Sequence, residues 1–180
     1  MRRIMAASFG AILAATLSAA ASSTTAPGAA ALDDATIVAI FDAANSADIE
    51  TGALAAERGS SREVREFGSM LVNAHTLVRQ KGRELARKLG VVPTPPKDDQ
   101  STKDHAAAMA RLRDLSGAAF DQAFLQHERT FHKAVLDAVK TTLLPAIQNA
   151  ELKALVVEVA PAFEAHLLAA ENLEKKLASR

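Results

Sequence analysis

The chain has 180 residues, with 21 Lys and Arg against 21 Asp and Glu, so its formal net charge at pH 7 is zero. With no excess of basic residues, the chain is not expected to present the positive surface that binding to a phosphate backbone requires. We therefore expect no nucleic-acid partner. The absence of Cys, Trp and Tyr excludes disulfides, thiolate metal sites and cysteine nucleophiles. Hydrophobic residues make up 49% of the chain and Ala is the most frequent residue, a composition that favours helices.

The N-terminus has the layout of a secretory signal peptide. Arg2 and Arg3 provide positive charge, and an uncharged stretch over residues 4–21 is followed by small residues. The alternative is an N-terminal membrane anchor. We disfavour it because the stretch is close to the shortest length that spans a bilayer and is rich in Ala, Ser and Thr rather than Leu and Ile.

Two cleavage positions fit the small-residue rule, one after Ala21 and one after Ala31. We favour Ala31, because residues 22–28 would otherwise remain as a Ser/Thr/Pro-rich tail. We therefore expect residues 1–31 to be removed and residues 32–180 to form one periplasmic or secreted domain. This domain is expected to make no stable membrane insertion, and it is slightly acidic because the leader carries two basic and no acidic residues.

The first helix is predicted over residues 33–58, where apolar residues recur at spacings of three and four. Asp33 and Asp34 supply a cap and negative charge at its start, and Gly59 ends it. The stripe that we expect to face the core consists of Ile37, Ile40, Phe41, Ala44, Ala47, Thr51, Leu54 and Ala55.

A second helix is predicted from the Ser60–Ser61 pair to about Leu89, with Gly90 as its stop signal. Residues 91–101 then contain three prolines in four positions and cannot continue a helix. This segment is the one long connection, and a short helix over residues 102–115 completes it.

Two more helices are predicted over residues 118–144 and 150–178, with a turn between Pro145 and Asn149. No segment shows the alternating Val, Ile and Thr pattern of a strand. We therefore predict an all-α fold. It is a ferritin-like four-helix bundle, in which two helical hairpins are joined by a long crossover that contains a short extra helix.

Polar residues on the apolar stripes are the candidates for chemistry, because no other reactive side chains remain. These residues are His75, His127, His132, His166, Asp48 and Glu50. Imidazole and carboxylate are the ligands expected of one divalent Zn, Fe or Mn ion inside a bundle. A di-iron centre would need Glu-x-x-His on two helices. Val72, Arg129 and Phe163 stand at those Glu positions, so no di-iron centre is expected.

Distances along the hairpins indicate which of these residues can meet. At a rise of ~1.5 Å per residue, His127 and His132 both lie within about one turn of the level of His166. The spacing therefore does not decide whether His127 or His132 lies beside His166. Glu50 and His75 are offset by roughly 9 Å along the first hairpin, too far for both to bind one ion, and Asp48 is nearer.

Three interpretations of the histidines stay open: hydrogen-bonded core residues, ligands of one metal ion, or groups that transfer protons. His105, near the start of the crossover helix, is predicted to be exposed. The sequence contains no glycine-rich phosphate loop, no H-E-x-x-H and no G-x-S-x-G. It therefore indicates no catalytic residue.

Several short motifs follow one another along the chain: Glu-Thr-Gly-Ala-Leu-Ala at 50–55, Val-Arg-Glu-Phe at 64–67, Met-Leu-Val-Asn-Ala-His at 70–75, Leu-Ser-Gly-Ala-Ala-Phe-Asp at 115–121, His132, and Pro161 followed five residues later by His166. In their order and spacing they resemble the DUF4142 family, exported bacterial proteins of unknown function with a ferritin-like helical fold. The resemblance spans about residues 34–177 and implies that Glu50, His75, His132 and His166 are recurring polar positions of the family. It favours His132 over His127 and implies no activity. The Asn73–Ala74 pair departs from the family, in which an acidic residue usually precedes His75.

Our leading hypothesis is an exported, non-enzymatic binding or envelope-stress-related module that holds a metal ion through some of His75, His132 and His166, with Glu50 as a further candidate ligand. Its partner would otherwise be an envelope protein or a second copy of the chain. The alternative is a metal-dependent oxidoreductase or hydrolase with a mononuclear His/carboxylate site, which would need an open coordination position.

Overall fold

The all-helical prediction is confirmed by a computed structural model, which describes residues 32–97 and 99–179. Its elements are α1 (Asp34–Arg58), α2 (Arg62–Leu89), α3 (Gln100–Arg113), α4 (Gly117–Ala138), a π-helical turn (Val139–Leu143), α5 (Leu144–Ala146) and α6 (Ala150–Ala178). The described residues contain no strand. The predicted signal peptide and its cleavage positions lie outside the described residues, so the domain boundary near residue 31 stays a prediction.

The ends of the long helices are set by local capping. The Asp33 side chain accepts from the Thr36 amide at 2.7 Å, and Ser61 accepts from the Val64 amide. Asn149 accepts from the first amides of α6. Gly90 ends α2 in the left-handed conformation, with φ of 67°, which only glycine adopts without strain. The caps at Asp33 and Ser61 and the stop at Gly90 lie where the sequence signals predicted them, and Asn149 ends the turn in which it was expected.

The long helices form two hairpins, α1 with α2 and α4 with α6. Contacts of α2 with α6 and of α1 with α4 join the hairpins, and α3 belongs to the crossover and packs against α4 and α1. This connectivity, with one long crossover, is the arrangement of ferritin-like bundles.

A buried polar layer divides the core into two apolar clusters. The first cluster includes Ile37, Phe41, Val78, Leu136, Val156 and Phe163, and the second includes Ala55, Phe67, Leu71, Phe124 and Ala170. The residues between the clusters on the four long helices are Asp48, His75, Glu128, His132 and His166, all buried. The polar layer therefore lies at one level of the bundle and is closed above and below by apolar side chains.

Two glycines bring α1 and α2 into backbone contact next to this layer. A Cβ on Gly68 would lie 2.5 Å from the Gly52 carbonyl oxygen, and a Cβ on Gly52 would lie 2.8 Å from the Gly68 oxygen. No methyl group fits at these distances. Gly52 lies about one turn from Asp48 and Gly68 about two turns from His75, so the close contact sets the separation of those two side chains.

Each hairpin turn is held by an aspartate from the other hairpin. The Asp121 carboxylate, on α4, accepts from the Ser60 and Ser61 amides at 2.7 and 2.8 Å. The Asp34 carboxylate, on α1, accepts from the amides of Gln148 and Asn149, both at 2.9 Å. These paired bonds fix the ends of the hairpins relative to each other, and Asp121 explains the last residue of the motif at 115–121.

We expect Asp121→Ala to lower the free energy of unfolding by about 2 kcal/mol, because two amides at the α1–α2 turn lose a charged acceptor. Urea unfolding followed by circular dichroism measures this change. Asp114→Ala is the matched control, since Asp114 is exposed in the neighbouring turn and should change the midpoint little. Equal midpoints for the two variants would contradict the role assigned to Asp121.

Three ion pairs between α2 and α6 share one register. They are Glu63–Lys176 at 3.0 Å, Lys81–Glu158 at 2.8 Å and Lys88–Glu151. The intervals between successive pairs are about five turns and two turns on both helices. Such exposed pairs each stabilise a fold little, but together they specify an alignment that places His75 opposite His166.

The helix predicted over residues 118–144 is interrupted near its end. Residues Val139–Leu143 form a π-helical turn, and the Leu144 amide donates to the Val139 carbonyl. Pro145 follows directly and has no amide to continue the α-helical pattern. The hydroxyl of Thr141, within this turn, donates to the Asp137 carbonyl at 2.7 Å.

Candidate metal centre

The predicted histidines on three different helices meet in the polar layer. His75 comes from α2, His132 from α4 and His166 from α6, and their side chains are 1%, 0% and 6% exposed. One ring nitrogen of each lies within 4.8 Å of the others, and His75 Nε2 is 3.1 Å from His166 Nδ1. His127, which the spacing could not separate from His132, stacks on Phe131 and is not part of this group.

The protonation pattern of His132 follows from its backbone contact. Its Nδ1 lies 3.0 Å from the Glu128 carbonyl oxygen, which can only accept, so Nδ1 carries the proton. The Nε2 atom is then an unprotonated acceptor. It is buried and has no hydrogen-bond partner. Histidines that bind metals are held in this way, with the other ring nitrogen donating to a carbonyl or carboxylate.

His75 is oriented by Asn45, a residue of α1 that the sequence analysis did not single out. The Asn45 Nδ2 group donates to the Phe41 carbonyl at 2.8 Å, so its Oδ1 atom faces His75. Oδ1 accepts from His75 Nδ1 at 2.9 Å. His75 Nε2 is therefore also an acceptor, and it receives the proton of His166 Nδ1.

Two buried carboxyl groups complete the layer. Asp48 Oδ2 lies 3.5 Å from His75 Nε2, and Glu128 Oε2 lies 3.5 Å from His132 Nδ1. Burial, together with the neighbouring Glu128 carboxyl, raises the pKa of Asp48 well above its ordinary value. Burial likewise raises the pKa of Glu128 to about 7. Asp48 Oδ2 and both Glu128 oxygens have no hydrogen bond of normal geometry, although the Thr51 and Asp48 side chains lie close enough to Glu128 to oppose part of the rise in its pKa.

Burial also keeps the histidines neutral. It lowers the pKa of His75 to about 3 and of His132 to about 4, and it lowers the pKa of His166 as well. Neutral imidazole is the form that binds a metal ion, so the three rings are ready as ligands at neutral pH.

Two ring nitrogens face the layer as acceptors. His75 Nε2 and His132 Nε2 are both buried; His75 Nε2 faces the donor His166 Nδ1, whereas His132 Nε2 has no hydrogen-bond partner. Buried polar atoms without partners cost free energy. A cation bound among these acceptors would satisfy them together.

Glu50 is not in this layer. Its side chain is 59% exposed and bonds His105 Nε2 at 2.9 Å, so the proposed ligand role of Glu50 has no support in the structure. Asp48 takes the position at the histidines that Glu50 was expected to take. Side chains two positions apart on a helix point in directions that differ by about 200°. Glu50 therefore points outward when Asp48 points inward. The histidine that was expected to be exposed, His105, is 21% exposed in this ion pair.

The sequence contains signals for Asn45 and Glu128, two residues of the layer that the list of candidates did not include. Asn45 lies one turn after Phe41 and one turn before Asp48, so the three share a face. Glu128 lies one turn before His132 on the same face. A polar residue in the middle of an apolar stripe is a candidate for a buried, partnered group.

No helix in the part of the chain that the structure describes has the length and apolar character needed to cross a bilayer. Comparison with curated proteins and with solved structures gives no match. The family model described as a domain of unknown function, DUF4142, matches residues 19–173. This match spans more than half of the chain, and the protein therefore belongs to the DUF4142 family, as the resemblance of its motifs predicted.

Proposed function

We propose that this protein is an exported helical bundle that holds one divalent transition-metal ion, Zn, Fe or Mn, in its core. The ligands would be Nε2 of His75, Nε2 of His132, Nδ1 of His166 and the Asp48 carboxylate. The observation that carries this proposal is the pair of buried imidazole Nε2 acceptors of His75 and His132, each oriented by a hydrogen bond on its Nδ1, with His132 Nε2 left without a partner.

The spacing of the ligand atoms suits one ion. Atoms bonded to one transition metal at about 2.0–2.2 Å lie about 3–4 Å apart. His75 Nε2 is 3.1 Å from His166 Nδ1 and 3.5 Å from Asp48 Oδ2. Ring nitrogens of His75, His132 and His166 lie within 4.8 Å of one another, and ligand atoms of Asp48, Glu128 and His132 form a second such group. Side-chain shifts would bring the three imidazoles and Asp48 to bonding positions around one ion.

Metal binding would change the protonation of two groups in the layer, His166 and Asp48. The proton on His166 Nδ1 would move to its other nitrogen, which leaves the ring neutral. The Asp48 carboxyl would lose any proton it carries, because a carboxylic acid must ionise to bind a cation. Affinity for metal is therefore expected to increase with pH. Glu128, 3.5 Å from His132 Nδ1, would act as an outer carboxylate that raises the basicity of His132.

The burial of the layer favours metal holding over hydrolysis. The three imidazoles are at most 6% exposed, so a substrate of more than a few atoms would not reach the ion without opening the bundle. A hydrolase needs an open coordination position that water and substrate can enter. We therefore place metal holding ahead of metal-dependent catalysis.

Metal titration tests the proposal. The metal-free protein should bind Zn²⁺, Mn²⁺ or, without oxygen, Fe²⁺ in a 1:1 complex when each is titrated by calorimetry. His132→Ala should weaken binding by more than about 100-fold, since loss of an outer partner alone costs about 10–100-fold. His166→Ala provides a second ligand variant at a less buried position.

His127→Ala is the matched control, because His127 is on the same helix and outside the layer. It should bind metal as the wild type does. Absence of affinity for all three ions, or equal affinity in the His132 and His127 variants, would overturn the proposal. Circular dichroism of each variant separates loss of a ligand from loss of the fold.

Export is part of the same proposal and rests on the charge and composition of residues 1–31. Mass spectrometry of the protein from a periplasmic fraction measures the mature N-terminus. We expect it to begin at residue 32, or at residue 22 if the earlier position is cleaved. Recovery of the full-length chain from the cytoplasm would contradict export.

A further inference from the structure

We propose that an apolar cavity beside the polar layer is a binding site for small apolar molecules of the size of dioxygen. The cavity has a volume of about 70 Å³ and lies between α1, α4 and α6. Half-buried side chains line its outer part, among them Ile40, Ala44, Val139 and Ala160. Its inner end is lined by Asn45 and Phe163, which are buried.

The cavity offers a water molecule no polar partner. Asn45 is a polar residue in its lining, but Asn45 Nδ2 is bonded to the Phe41 carbonyl and Oδ1 to His75 Nδ1. A buried water needs two to four polar partners, and cavities without them stay dry. The lining is otherwise aliphatic or aromatic, so we expect an apolar guest rather than water.

The size of the cavity limits the guest to a few atoms. A dry engineered cavity of about 150 Å³ binds benzene or xenon. At 70 Å³ this cavity is roughly half as large, which suits a diatomic molecule or a xenon atom and excludes an aromatic ring.

The inner end of the cavity borders the proposed metal ligands. The Phe163 ring lies 5.2 Å from the His75 ring and 6.0 Å from the His132 ring, between centroids, and Asn45 bonds His75 directly. A guest would thus be separated from the histidines by one layer of side chains. The role of the cavity as an access route for a small apolar molecule rests on the proposed metal site, whereas the binding of a guest does not.

The π-helical turn contributes to this site, since it supplies Val139 and Leu143 to the lining. π-turns inside helices are frequent at functional sites. The contact between α1 and α4, which both line the cavity, is looser than that within either hairpin.

Methyl NMR of the metal-free full domain under xenon and then under dioxygen pressure tests the proposal. Xenon should shift the methyl signals of Ile40, Val139 and Leu143, and paramagnetic dioxygen should relax the same signals most. Ala44→Leu, which fills the outer part of the cavity, should reduce both effects at least fivefold. Ala160→Val is a second filling variant on another helix.

Ala53→Leu is the matched control, because Ala53 lies on the exposed face of the same helix as Ala44, and it should leave both effects unchanged. Uniform small shifts across all methyl groups, or equal responses in the filled and control variants, would overturn the proposal. Because the measurement uses metal-free protein, a positive result stands even if metal titration fails. A negative result refutes the cavity site alone.

Discussion

Replacing Glu128 by methionine should raise the melting temperature of the metal-free protein at pH 8 and reduce the further rise that zinc produces. The wild-type carboxyl is fully buried and has a pKa raised by burial from 4.5 to about 7, so at pH 8 it is ionised at a cost on the order of 3 kcal/mol. Methionine removes this cost and fills a similar volume. The expected gain is roughly 6–12 °C.

The further rise in melting temperature that zinc produces should be smaller in Glu128→Met than in the wild type. Loss of an outer carboxylate lowers metal affinity by about 10–100-fold, and each tenfold loss removes about 1.4 kcal/mol of stabilisation at saturating zinc. Differential scanning calorimetry with and without zinc measures both quantities. The exposed Glu57 supplies the control variant Glu57→Met. If Glu128→Met destabilised the metal-free protein, the carboxyl would have to be a satisfied part of the core instead.

The metal-free protein should be most stable near pH 6.5 and lose stability on both sides. Burial lowers the pKa of His75 to about 3, of His127 and His132 to about 4, and of His166 below 6.5. As the pH falls below 6.5, the unfolded chain takes up protons on these histidines that the folded chain does not. Acidification therefore destabilises the fold.

The two buried carboxyl groups change the stability with pH in the direction opposite to that of the histidines. With pKa values raised in the fold, Glu128 and Asp48 hold protons that the unfolded chain has already lost. The contribution of Glu128 is complete below its unfolded pKa and is lost as the pH rises through about 7, and the raised pKa of Asp48 gives a contribution of the same sign. Between about 4.5 and 6.5 the four histidines outnumber the two carboxyls, so stability still increases with pH there. Above 6.5 only the carboxyls titrate, and stability falls.

Urea midpoints at pH 5, 6.5 and 8.5 measure this profile for protein treated with chelator. The double variant Asp48→Asn, Glu128→Met should lose the alkaline decline and keep the acidic one. Saturating zinc should reduce the alkaline decline, since ionised Asp48 is then a ligand while the contribution of Glu128 remains. A midpoint that increased from pH 6.5 to 8.5 in the metal-free wild type would contradict the signs given above.

The helices were predictable because their signals are local. The caps at Asp33, Ser61 and Asn149 and the stop at Gly90 act within one turn of the residues they cap. The crossover follows from the prolines after residue 91, which cannot enter a helix. Each of these effects depends on a few consecutive residues, so one sequence is enough to identify them.

The face of α1 was less predictable. The predicted stripe included Ile40, Ala44 and Ala47, which are half-buried, whereas Asn45, Asp48 and Gly52 are buried. Helix α1 is apolar on most sides, so counting apolar residues could not select the inner face. Asn45 and Asp48 are buried because both contact His75 on α2. Gly52 is buried because the backbone of α2 at Gly68 lies too close to leave room for a side chain.

The all-helical fold of two hairpins, the DUF4142 membership and the choice of histidines as candidate ligands could all be read from the order of residues along the chain. That His75, His132 and His166 meet, that Asp48 rather than Glu50 lies beside them, and that Asn45 and Glu128 complete the layer became clear from the packing of the helices. The physical reason is that helix boundaries depend on neighbouring residues, whereas the layer depends on side chains from four helices. A rotation of one helix by half a turn would exchange Asp48 for Glu50.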